Sequence, residues 1–85
     1  MNTVTLTKEK MLCYLDVQMS FPKATIKDAE LMKAPIKTDG LKEMVKNIQK
    51  IRDFVEQSDD DKVYVIPNMT MQEIDDIISS AKKLQ

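Results

Sequence analysis

The stretch 38-TDGLKEMVKNIQKIRDFVEQ-57 decides the fold. Leu41, Met44, Val45, Ile48, Ile51 and Val55 recur at i, i+3, i+4, i+7, i+10 and i+14. At about 100° per residue they form one apolar stripe on a helix of roughly five turns. Lys42, Lys46 and Lys50 fall on the opposite side, four residues apart. One face of this helix must therefore find an apolar neighbour, while the other meets water.

The flanking sequence supplies the elements it can pack on. Thr3–Leu6 alternates, with Val4 and Leu6 on one side, as a short strand does. Thr7 is an N-cap residue with Glu9 in the first turn, where the helix dipole favours an acid. The helix it opens is expected to run to about Ser20, with a main stripe of Met11, Leu12, Leu15 and Met19. Cys13, Tyr14 and Val17 form a second apolar face on the same helix, and a helix apolar on two sides is either sandwiched or in contact with a partner.

Phe21-Pro22 is expected to end that helix, because proline removes a backbone donor. Thr25, with Asp28 three residues on, marks a second start, and Ile26, Ala29 and Met32 share a face until Pro35. Residues 35–40 read as a turn, with Thr38 or Asp39 capping the long helix. Beyond it, residues 57–62 form an acidic break, and Val63-Tyr64-Val65-Ile66 is a β-branched and aromatic strand closed by Pro67, able to pair with 3–6. Thr70 and Glu73 match a capping box, with Met69 and Ile74 placed as the hydrophobic staple around it. Asp75 and Asp76 near the start and Lys82 and Lys83 near the end suit the dipole of this last helix. Met71, Ile74, Ile77, Ile78, Ala81 and Leu84 give it a broad apolar face.

These elements predict a single, mainly α domain over residues 1–85, a small bundle of about four helices with a short two-stranded β extension at 3–6 and 63–66. A chain of 85 residues buries only about 60% of its unfolded surface, so it gains from a disulfide, a metal or a partner. Cys13 is the only cysteine and histidine is absent, which argues against the first two and for the third. Met11, Met19, Met32, Met44 and Met71 are expected to fill the core. No apolar N-terminal run follows a basic start and no window is apolar enough to span a bilayer, so a cytoplasmic setting without membrane contact is expected. The charge is uneven: residues 1–52 sum to +4 and residues 53–85 to −5.

The residue types needed for catalysis are scarce. Without histidine there is no ordinary general base near neutral pH, and Cys13 in mid-helix has nothing to activate it. One glycine cannot build a phosphate-cradling loop. Asp59, Asp60 and Asp61 lack the alternating ligands and the distal glutamate of a calcium loop. The expectation is a non-enzymatic protein without cofactor or metal.

Two binding modes remain. The first is a protein-interaction module of regulatory, inhibitor or adaptor type, a description that small phage or mobile-element accessory proteins fit. It would use apolar helix faces, with Cys13, Tyr14, Val17 and the off-stripe Phe54 as interface candidates, and would bind another protein or itself. The second is binding of an anionic partner, DNA above all, on a face made by Lys37, Lys42, Lys46 and Lys50.

The run Ala24-Thr25-Ile26-Lys27-Asp28-Ala29 resembles the opening of the second helix in winged-helix repressors. The resemblance covers about residues 8–66. It implies that Leu41, Met44, Val45 and Ile48 point inward from a recognition helix, that Thr38 and the four lysines face DNA, and that the last helix dimerises. The chain departs from that family in carrying Asp39 and Glu43 on the first turn, where base-reading residues belong, and acids where a wing meets phosphate.

Overall fold

The computed structural model describes residues 2–33 and 37–83. The order of elements is β1 (Thr3–Thr7), α1 (Lys8–Leu31), α2 (Asp39–Gln57), β2 (Val63–Pro67) and α3 (Met71–Lys83). The fold is mainly helical with a two-stranded antiparallel sheet, but among the described residues it has three helices rather than about four.

The missing boundary is at Pro22. The expected stop and restart do not occur, and α1 passes through the proline without a break. An interior proline leaves the carbonyl four residues earlier without its donor, at a cost of about 3 kcal/mol. Here Pro22 is buried, as are Met19 and Ala29 on the same helix. The Ser20 hydroxyl donates to the Val17 carbonyl at 2.7 Å and the Thr25 hydroxyl to the Phe21 carbonyl at 3.0 Å, on either side of the ring, but neither replaces the donor lost at the Gln18 carbonyl. Packing has overridden a local stop signal. The helix ends at Met32, whose N–H donates to the Asp28 carbonyl, and Lys33 follows in the left-handed region at φ 50°. The second start at Thr25 is therefore interior to α1, and Pro35 lies outside the described residues.

At the other end of α1, Thr7 caps as its residue type predicts, accepting from Lys10 N–H at 3.3 Å. β1 and β2 pair antiparallel with Val4 opposite Ile66 and Leu6 opposite Tyr64, one residue longer on each strand than the alternation suggests. Val4 and Leu6 point into the core, whereas Val63 and Val65 remain exposed on the outer face. Asn68, at φ 61°, turns the chain towards α3, and its N–H donates to the Asn2 carbonyl. In the α3 cap, Glu73 N–H donates to Thr70 Oγ1 at 3.2 Å, while the Thr70 hydroxyl donates to Glu73 Oε1 at 3.2 Å. The glutamate thus closes on the cap hydroxyl instead of on the backbone N–H that a capping box predicts.

The core joins Val4, Leu6, Met11, Leu15, Val17, Val55, Ile74 and Ile78. It sits where α1 is sandwiched. Lys10–Asp75 and Tyr14–Met69 tie its first half to the α3 side, and Asp16–Arg52 ties it to α2. With Asp16 meeting Arg52 and Glu30 meeting Lys42, α1 and α2 run antiparallel along their length. At 24 residues, α1 is about 36 Å long. The molecule measures 44 × 26 × 26 Å, so the distal halves of α1 and α2 extend as a two-helix arm from a body made by the core, the sheet and α3.

Candidate interaction surface

α2 lies along α1 as a neighbour in a two-helix hairpin, which meets only part of its apolar stripe. Val55 is buried, and Leu41, Val45 and Ile48 are half-buried. Met44 and Ile51 stay 49% exposed and Phe54 72% exposed. Around the helix axis these three lie on one flank of the seam, about 60° to 140° from Leu41. The seam and its opposite flank carry the ion pairs with α1. Arg52 donates to both Asp16 carboxylate oxygens and, through Nη1, to Glu56 at 2.8 Å, while Lys42 approaches Glu30 at 3.7 Å. The hydrogen bond to Asp16, helped by the nearby charges of Asp16 and Glu56, holds the Arg52 guanidinium pKa above its ordinary value despite some opposing desolvation.

The stripe splits because its apolar arc spans about 120°, and one neighbouring helix cannot cover both sides of it. The result is an uncovered ridge, Met44–Ile51–Phe54, at i, i+7 and i+10 on one face. Asn47 lies between them and is also exposed.

The second apolar face of α1 is not such a surface. Val17 is buried in the core, and Cys13 and Tyr14 are half-buried against it. The Tyr14 hydroxyl donates to Met69 Sδ at 3.6 Å, and Cys13 lines a small cleft with Ile78 and Ser79 of α3. α3 packs on this face within the chain, so Val17 belongs to the core, Cys13 and Tyr14 are partly covered, and Phe54 is free of the core. The methionines divide in the same way. Met11 and Met19 are buried, but Met32, Met44 and Met71 are exposed, a correction to the expectation that all five fill the core.

Lys37, Lys42, Lys46 and Lys50 are all exposed. Lys23 and Lys27 of α1 join Lys42 and Glu30 around a shallow cleft. Sequence reading missed these two, although their i, i+4 spacing repeats that of the α2 lysines. The short helix that the winged-helix resemblance places before the turn is part of α1, and α2 lies antiparallel along it. The Asp59–Asp61 turn is exposed, with Asp60 paired to Lys8 at 3.2 Å. Among the described residues no group of three or more acidic, cysteine or histidine side chains is placed to hold a metal, and no helix is long and apolar enough to cross a membrane. No protein-family model, curated protein or solved structure matches the chain.

Proposed function

We propose that this chain is a small, non-enzymatic protein-interaction module of regulatory, inhibitor or adaptor type, working in a reducing cytoplasm. Its docking surface is the α2 ridge of Met44, Ile51 and Phe54. The observation that carries this reading is the exposure of three large apolar side chains in line on one helix flank, with the helix packed on α1 from its other side. An exposed apolar line of this kind is where interfaces place their anchors, and Phe54 is its aromatic member. The absence of histidine and the lack of any activated nucleophile support a binding role over a chemical one.

A photo-crosslinking amino acid at position 54 tests the reading. It is expected to trap a protein partner, and Ile51→Glu is expected to abolish the crosslink while leaving the helical circular dichroism unchanged. A labelled DNA duplex titrated at rising salt is the counter-test. Binding that falls log-linearly with salt and is lost on reversing Lys46 and Lys50 would move function from the ridge to the lysine face.

A further inference from the structure

We infer that the occupant of the α2 ridge is a second copy of this chain, antiparallel to the first about a two-fold axis. The inference rests on the interaction reading above and names its partner. Its first support is area. The accessible surface is 6339 Å² for a 9.8 kDa chain. A compact monomer of that mass exposes roughly 5,200 Å². The radius of gyration is 14.5 Å, against about 12 Å for a compact chain of this length. The surplus, roughly 1,100 Å², is on the scale of the ~800 Å² that each partner buries in a stable dimer. The elongated α1–α2 hairpin contributes to it, and laying two such hairpins side by side in opposite directions, each arm along the other copy's body, makes a four-helix bundle, the usual way such hairpins cover their outer faces.

The second support is charge. Residues 20–50, which contain the arm, carry seven lysines and four acids, a net +3. Residues 2–19 and 51–83, which contain the body, carry six basic and ten acidic residues, a net −4. A parallel dimer sets arm on arm and repels, whereas an antiparallel one sets each positive arm against a negative body. The ridge fits the same arrangement. Met44 and Ile51 hold one position of a seven-residue repeat, and Asn47 and Phe54 hold the other. Antiparallel pairing sets Met44 against Phe54 of the other copy and Asn47 against Ile51. It also brings Lys37 and the N-terminus of α2 beside the other copy's Asp59 and Asp61, where the helix dipole adds to the attraction. The symmetry closes, so the assembly stops at two.

The test is light-scattering mass across a dilution series of the full chain. The expected result is twice the 9.8 kDa chain mass, with a Kd in the micromolar range or tighter, and a monomer for Ile51→Glu with unchanged helicity. The charge pattern is tested with two further variants, Lys37→Glu and Asp59→Lys/Asp61→Lys. Each alone sets like charge on like and is expected to dimerise at least about tenfold more weakly. Their equimolar mixture restores opposite charges at both ends and is expected to recover the wild-type midpoint. A mixture as weak as its components overturns the antiparallel arrangement. A monomer at every concentration overturns the second copy, and the crosslink at position 54 then decides separately whether a different protein docks on the ridge. A dimer untouched by Ile51→Glu overturns the ridge as the dimer contact.

Discussion

Arg52 and Asp16, 36 residues apart, join α2 to α1 through a two-pronged contact in which the guanidinium reaches both carboxylate oxygens. The pair lies one turn before the core residue Val55 and matches a single rotation of α2 about its own axis. That rotation turns Val55 inward and leaves Phe54 outside. Arg52 is largely covered, but Asp16 is about half exposed, which limits the net gain from the contact. A double-mutant cycle with Arg52→Ala and Asp16→Ala is expected to give a coupling energy of about 0.5–1 kcal/mol. Denaturant midpoints of the four proteins measure it. A coupling of zero would mean that apolar packing alone sets the rotation.

Pro22 tests how far packing overrides local chemistry. Pro22→Ala returns an N–H donor to the middle of α1 and removes a ring from a buried site. The restored helix bond and improved propensity are worth about 3 kcal/mol. The lost ring burial and the freer unfolded chain take back about 1–2 kcal/mol. The variant is expected to be about 1 kcal/mol more stable than the parent in thermal or urea unfolding. A loss of stability would show that the ring fills its pocket better than the helix bond repairs the backbone.

Pro22 is also where the sequence misleads. The two strands, the Thr7 cap, the start of α3 and the amphipathic α2 are readable from residues because each depends on local periodicity or on a side chain within three residues of the backbone it caps. The continuity of α1 is not, because the burial that keeps it intact comes from residues distant in sequence. The same applies to Val17. Its place on a second apolar face was legible, but which surface covers that face depends on where α3 returns, through Tyr14 and Met69, 55 residues apart. Phe54 stood out because it lies off the stripe. The exposure of Met44 and Ile51 was hidden, since a stripe in sequence does not state how many neighbours will share it.

The cap of α3 offers a cleaner local test. Thr70 accepts from Glu73 N–H and donates to its carboxylate, both at 3.2 Å. Thr70→Ala removes both bonds and is expected to cost about 1 kcal/mol. Glu73→Gln keeps an acceptor for the hydroxyl and is expected to cost less, losing mainly the interaction of charge with the helix dipole, about 0.3–1 kcal/mol. Equal losses from the two would place the weight on charge instead of on the cap bond. Thermal melts at low and high salt separate the two contributions, because only the dipole effect is screened.

Phe54 and Ile74 give the sharpest contrast in the chain, two large apolar residues with opposite surroundings. Ile74 is fully buried in the core, and Phe54 is 72% exposed. Truncating Ile74 to alanine removes buried methylenes and leaves a cavity, which costs about 2–5 kcal/mol. In a chain of 85 residues that is a large part of the total stability, so the variant is expected to melt at a much lower temperature or to populate unfolded chains at 37 °C. Phe54→Ala is expected to change stability by less than about 0.5 kcal/mol when measured at concentrations where the chain is monomeric. At higher concentration the two variants should diverge in another way. Any stability that rises with protein concentration in the parent, as association requires, is expected to be lost in Phe54→Ala and kept in a core variant that still folds, such as Ile74→Val. Unfolding the parent, Phe54→Ala and Ile74→Val at a low and a high concentration measures both effects together. A Phe54→Ala variant that is destabilised equally at both concentrations would put the ring inside the monomer's own packing and remove it from the docking surface.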